Sequence, residues 1–269
     1  MHGDGTAFGP TGHFRESLLT LAKFRFKHFT IYYNQDSFSV GTDAMVLGAL
    51  VQGQNPGRIL DAGSGSGVLG LMAAQKFNLS QIDCVEIDEK AFLECQENVR
   101  KSPFQDRVTA VHSNLLEYQP QELYTTIVTN PPYYSTDNFS NPRNQREKHL
   151  STEELHAWFS HCIQLLAPHG TLWFIAPVSI TKVVNKLIQR LEMHVHHEVQ
   201  IQNQHDSPVR TVYGISKQSN PQKSTLLKLR NSDGSYSDEY IDLTAEFHGI
   251  TLQKQPKLHE TSNATCTFV

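Results

Sequence analysis

No stretch of the 269 residues stays apolar over anything near the roughly 20 positions a membrane-spanning helix needs. The mean hydropathy is −0.41. The first residues, Met1–Gly12, are glycine-rich and polar and carry no basic patch leading into an apolar run, so they do not read as a secretory signal. The expectation is a soluble, cytoplasmic protein with no membrane partner and no obligate protein partner. Cysteine is scarce as well. Cys84, Cys95, Cys162 and Cys266 show no CxxC spacing, which argues against a disulfide framework or a thiolate zinc site and leaves free thiols. The densest histidine group, His194, His196 and His197, offers two rings on one strand face but no third ligand, so no metal site is expected. Basic charge is in deficit: 23 Lys and Arg stand against 27 Asp and Glu, a net charge of −4. A nucleic-acid binder is usually basic, because phosphate contacts carry its affinity, so such a function requires a local cationic patch here.

What is present is an alternation of short apolar strands and helices. Phe24 to Tyr33 alternates like a strand or hairpin arm, and Asp43 to Val51 reads as a helix. Strands are expected at Arg58–Ala62, Ile82–Ile87, Val108–His112, Thr125–Thr129 and Gly170–Pro177, with late strands at His194–Gln202 and Val209–Lys217. Helices are expected at Val68–Phe77, Glu89–Lys101 and Ile180–Leu191, and from Ser151, whose partner Glu154 completes a capping box, to Leu166. Ser135–Leu150 reads as a loop. The alternation predicts an α/β fold, a mainly parallel twisted sheet with helices on both faces and an antiparallel late strand. Ligands in such sheets bind at the carboxyl ends of the strands.

Two strand ends carry chemistry. Asp61-Ala62-Gly63-Ser64-Gly65-Ser66-Gly67 leaves the first of these strands and opens a helix. A glycine turn alone also suits a dinucleotide. Asp61 would repel a pyrophosphate at that helix start but suits S-adenosylmethionine, which carries a cationic amine and a sulfonium and no phosphate. Glu86, at the end of the next strand, can accept hydrogen bonds from two ribose hydroxyls, while Asp88 reads as a helix cap. Asn114 is either a reader of the cofactor adenine or a turn former.

Asn130-Pro131-Pro132-Tyr133 ends the Thr125–Thr129 strand, and its residue types suit a planar NH2 group. The lone pair of such a nitrogen is delocalised. Two acceptors on its hydrogens, the Asn130 side-chain oxygen and the Pro131 carbonyl, pull it toward tetrahedral geometry and free the pair. The prolines hold the segment extended, and Tyr133 offers a flat face for a base, worth about 1–3 kcal/mol. Asn130 stands where the two sites meet and counts in both. Lys27, within a basic and aromatic stretch, and Arg143, Arg146, Lys148 and His149, in the loop after the catalytic turn, are candidate phosphate contacts.

The run Asp61–Gly67, the acid Glu86 and Asn130–Tyr133 resemble the Rossmann-like class I N-methyltransferases of amino groups. More narrowly, Phe29-Thr30, Val40-Gly41-Thr42-Asp43-Ala44, Leu47-Gly48-Ala49, Pro131–Tyr134, Arg146–His149 and Tyr236–Phe247 resemble the bacterial tRNA1(Val) (adenine(37)-N6)-methyltransferase family. The resemblance covers roughly Phe24 to Ile250. It implies S-adenosylmethionine as cofactor, tRNA as partner, an adenine N6 as target, and Thr42 and Asp43 against the cofactor. The chain departs where the family often has aspartate, at Thr125 and Thr126 and at Asn114. The expected division is a flexible leader at 1–20, an N-terminal extension at 21–52, a methyltransferase domain at 53–250 and a flexible tail at 251–269. The catalytic motif equally suits a protein glutamine amide or an rRNA amine. A non-catalytic RNA-binding or assembly factor is the reading of another class.

Overall fold

The computed structural model describes residues 22–34, 40–133 and 150–254. Strands β1 (Ala22–Arg25) and β2 (Thr30–Tyr33) form an antiparallel hairpin, followed by helix α1 (Thr42–Leu50). Then come β3 (Arg58–Ala62), α2 (Val68–Lys76), β4 (Gln81–Glu86), α3 (Glu89–Lys101), β5 (Val108–His112) and β6 (Tyr124–Thr129). The chain continues through α4 (Thr152–Gln164), β7 (Leu166–Pro177), α5 (Thr181–Arg190), β8 (His194–Gln202), β9 (Pro208–Ser216), β10 (Lys223–Lys228) and α6 (Asp238–Thr244).

The large sheet runs β10-β8-β9-β7-β6-β3-β4-β5. Within it β9 is antiparallel to both neighbours and every other pair is parallel, so the sheet is mainly parallel with one reversed late strand, as the sequence predicts. Successive strand residues face opposite layers. Ile59, Val128, Trp173 and Ile175 enter one core with α1, α2, α3 and α6. Leu60, Ile127, Leu172 and Phe174 enter the other with α4 and α5. The chain leaves β3 for β4 on one side and returns to β6 on the other, so the carboxyl ends of β3 and β6 flank the switch point where ligands gather.

The hairpin divides its residues by type. Phe26 and Phe29 are buried and stack at 4.3 Å, whereas Lys23, Arg25, Lys27 and His28 are exposed. Its second arm is fastened to α3 by the fully buried Asn98. That side chain accepts the Tyr32 N–H at 2.9 Å and donates at 2.9 Å to both the Tyr32 carbonyl and the Ser66 carbonyl of the glycine turn. The N-terminal segment thereby braces the turn from behind.

Three elements differ from expectation. Helix α4 stops at Gln164 and β7 begins at Leu166, because Pro168 cannot continue a helix and Leu166 pairs with Tyr124. Strand β10 escapes a search for alternation because it is an edge strand with Leu227 buried and its neighbour Leu226 57% exposed. Helix α6 is short and is capped by Ser237, whose side chain accepts the Tyr240 N–H. Among the described residues no helix is long and apolar enough to cross a membrane.

Candidate active site

Ala62, the last residue of β3, pairs in parallel register with Thr129, the last residue of β6. Adjacent strands lie about 4.8 Å apart. The glycine turn that follows Ala62 and the Asn130–Tyr133 segment that follows Thr129 therefore start side by side at one edge of the sheet.

Gly63, Gly65 and Gly67 all take positive φ, at 72°, 53° and 82°, a region that side chains with a Cβ rarely visit. The Gly63 and Ser64 N–H groups both donate to the Val85 carbonyl, which ties the turn to the end of β4. Glu86 completes the tie: its Oε2 accepts the Gly65 N–H at 2.8 Å and its Oε1 accepts from Ile87 and Asp88. A carboxylate has about four acceptor sites, so three backbone donors fix Glu86 and leave capacity for a hydroxyl. Asp88 caps α3 through the Ala91 N–H, as its position in the sequence suggests. Asn114 accepts the Leu116 N–H at 3.1 Å and so forms a turn, while its amide N–H2 has no partner among the described residues and can still donate to a ligand.

Asp61 takes a different place from that of an open carboxylate. It is fully buried, and its Oδ2 accepts the Gly70 N–H of α2 at 2.7 Å. Its Oδ1 has no partner among the described residues. Burial pushes its pKa up to about 7; the Gly70 hydrogen bond opposes that rise and the Glu86 charge adds to it. Asp61 thus holds the helix start beneath the turn rather than offering an exposed charge to a cationic ligand.

Asn130 is exposed, and its side chain has no partner among the described residues. The Pro132 carbonyl accepts the Leu150 N–H at 3.1 Å, whereas the Pro131 carbonyl enters no backbone hydrogen bond among the described residues. Both oxygens are thus without a hydrogen-bond partner among the described residues, that of Asn130 on an exposed residue and that of Pro131 on a buried one. Tyr133 is half-buried against the second core, with its hydroxyl enclosed, so its remaining exposure lies away from the oxygen. Burial first, then Tyr213 and Asp43, push its phenol well above the ordinary range.

Four residues at this edge are not singled out by the sequence, and three of them carry no local signal of a role here. The Thr129 hydroxyl donates to the Ala62 carbonyl at 2.7 Å and accepts the Trp158 indole N–H at 3.3 Å. The same indole stands against Gly63, where a Cβ would lie 3.0 Å from its ring carbons. Trp158 and Thr129 therefore clasp the glycine turn to the strand that ends at Asn130. Arg210 of β9 pairs with Asp43 at 2.8 Å, and Tyr213 of the same strand neighbours Tyr133. A single clue to Thr129 is its place directly before Asn130.

Of the other expected site residues, Asp43 stands in the first turn of α1, where it pairs with Arg210 and its charge is felt at Tyr133, with Thr42 exposed beside it. Lys27 is not brought to the site. It is held by Glu246 at 3.4 Å and by the Phe247 carbonyl, beyond α6. Arg143, Arg146, Lys148 and His149 lie outside the described residues.

Residues 23–202 match the methyltransferase small domain family. The tRNA1(Val) (adenine(37)-N6)-methyltransferase of Vibrio campbellii is 32% identical over 228 residues, 84% of this chain and 95% of that protein. That of Dyadobacter fermentans is 42% identical over 162 residues, 58% of this chain and 66% of that protein. Among solved structures, a "predicted O-methyltransferase" from Agrobacterium tumefaciens aligns with a TM-score of 0.60 at 16% identity, covering 76% of this chain and 96% of that one. TYW2 of P. horikoshii in complex with MeSAdo aligns with a TM-score of 0.55 at 13% identity, covering 74% and 72%. These structures share the fold, that of the class I methyltransferases. With a methyltransferase domain over most of its length and relatives matched nearly end to end, the chain belongs to the tRNA1(Val) (adenine(37)-N6)-methyltransferase family.

Proposed function

We propose that the protein transfers a methyl group from S-adenosylmethionine to the N6 amino group of an adenine in tRNA, adenine 37 of tRNA1(Val), in the cytoplasm and without an obligate protein partner. The observation that carries this reading is the Ala62–Thr129 register, which sets the glycine turn beside the Asn130 acceptor. The names of the matched relatives supply the substrate.

The residues present fit the cofactor. A Cβ at Gly65 would meet nothing within 4 Å, so the turn leaves open space for a ligand against its backbone. Glu86 has acceptor capacity for the ribose, and Asn114 has an amide donor without a partner among the described residues for the adenine. Asp61 supports the site indirectly, by fixing α2 under the turn. When bound, S-adenosylmethionine supplies an activated methyl on a sulfonium.

The chain's own residues prepare the amine. The Asn130 oxygen and the Pro131 carbonyl accept its two hydrogens and weaken the conjugation of its lone pair. Tyr133, its hydroxyl end enclosed in the core, supports the base plane. Neither acceptor is a base at neutral pH, so the proton released on transfer goes to water. Positioning of this kind lowers a barrier by about 7–11 kcal/mol, which removes the need for a dedicated base. The test is incubation of the protein with labelled S-adenosylmethionine and separated tRNA, rRNA and release-factor fractions, then mass spectrometry of the labelled product. N6-methyladenosine in tRNA supports the proposal. Label confined to protein or rRNA contradicts it.

A further inference from the structure

A net charge of −4 requires that any RNA-binding cations be concentrated, and the structure shows where free ones are. Lys27, Arg58, Arg100, Lys101, Arg210, Lys228 and Lys254 are each paired with a carboxylate. Helix α5 differs. It holds Lys182, Lys186 and Arg190 and no acidic residue. All three cations are exposed, and none has an ion pair or hydrogen bond among the described residues. Their spacing of four puts them along one face, about 6 Å apart per step.

This face borders a cleft of about 430 Å³ between α4 and α5. Lys186 and Arg190 line it from α5, Thr152 and His156 line it from α4, and Leu155 and Leu187 lie between. Among the described residues no carboxylate lines it. On the two helices and just beyond them, Glu153 stands in the first turn of α4, Glu154 is held by the Ser151 N–H, and Glu192 follows α5. The cleft opens next to the catalytic turn: Leu150, two residues before Thr152, donates its N–H to the Pro132 carbonyl and bridges Tyr133.

We infer that the α4–α5 cleft, with the Lys182, Lys186 and Arg190 stripe at its rim, is the surface that holds the phosphate backbone of the RNA whose base enters the site at Asn130. The inference rests on the proposed tRNA substrate and deepens it. A cleft lined by unpaired cations, with no carboxylate among its described lining residues, suits a polyanion, since each phosphate neutralised releases counterions and steepens the salt dependence of binding by about one logarithmic unit.

The experiment measures binding of the full chain to a tRNA1(Val) transcript from 0.05 to 0.3 M salt, for wild type, K182Q/K186Q/R190Q and K182R/K186R/R190K. The glutamine variant should lose roughly 2 to 3 units of salt slope and weaken on the order of 100-fold at about 0.15 M salt. Its KM for tRNA should rise, with kcat at saturating RNA and S-adenosylmethionine affinity unchanged. The charge-preserving variant should stay close to wild type. A glutamine variant with unchanged slope and affinity, on a wild type that methylates tRNA, overturns the inference alone. A wild type that neither binds nor methylates tRNA overturns this inference and the proposed substrate together.

Discussion

Trp158 provides the sharpest mechanical prediction. Its indole N–H reaches Thr129 at 3.3 Å, its ring presses on Gly63, and Thr129 in turn bonds Ala62. Trp158→Phe keeps most of the packing and removes one hydrogen bond, worth about 1 kcal/mol. Its kcat should fall only a few-fold. Trp158→Ala also empties a half-buried site, at a stability cost of about 2 kcal/mol, below the 3–5 typical of full burial. The glycine turn then loses its wall, and a displacement near 1 Å between donor and acceptor costs about 100-fold in rate. The expected result is therefore a kcat loss of about two orders of magnitude with a much smaller change in S-adenosylmethionine Kd. Thr129→Val breaks both hydroxyl bonds, and its double-mutant cycle with Trp158→Phe should show a coupling of about 0.5–1.5 kcal/mol. Single-turnover methylation and calorimetric titration of the cofactor give the two numbers. If Trp158→Ala retains kcat within twofold, the clasp does not position the reacting groups.

Three other perturbations have directions set by the structure. Asp61 is raised from an ordinary value near 3.8 to about 7, so its contribution to stability is present below pH 4 and is lost as pH rises through 7. Asp61→Asn keeps an acceptor for Gly70 and removes that titration. Its stability relative to wild type should thus improve by on the order of 4 kcal/mol between pH 4 and pH 8 in urea melts; a pH-independent difference contradicts the buried-acid account. Asn98→Ala removes three hydrogen bonds between β2, α3 and the glycine turn and should cost about 3 kcal/mol in denaturant melts; a loss under 1 kcal/mol would show that the hairpin does not brace the turn. Gly65→Ala meets no protein atom but is strained by about 1–2 kcal/mol at its positive φ. It should weaken S-adenosylmethionine binding by far more than it lowers stability, and unaltered affinity would place the cofactor elsewhere.

The parts of the fold legible in the sequence are those where one residue type has one job. Arg58–Ala62, Glu89–Lys101 and Val108–His112 match the observed elements end to end, because buried strands stop at glycine or polar turns and α3 starts at an Asp88 cap. Both strand-end motifs were legible for the same reason, since glycines at positive φ and paired prolines have few other uses. Partnerships across the chain were not. Nothing local shows that Asp61 is sealed under Gly70, that Trp158 reaches Thr129, or that Glu246 takes up Lys27. Basic residues look alike in a string. Only the fold separates the paired Arg210 from Lys186, which has no partner among the described residues.

Asn130 is proposed to act on the amine far more than on the cofactor's binding or the fold. Asn130→Ala tests it in one measurement: the single-turnover rate on saturating tRNA1(Val), with the S-adenosylmethionine Kd determined on the same preparation. Losing one preorganised polar contact to a reacting group costs about 100- to 1000-fold in rate, so the account predicts a drop of at least that size with Kd within threefold. A variant that still methylates at a wild-type rate would contradict it.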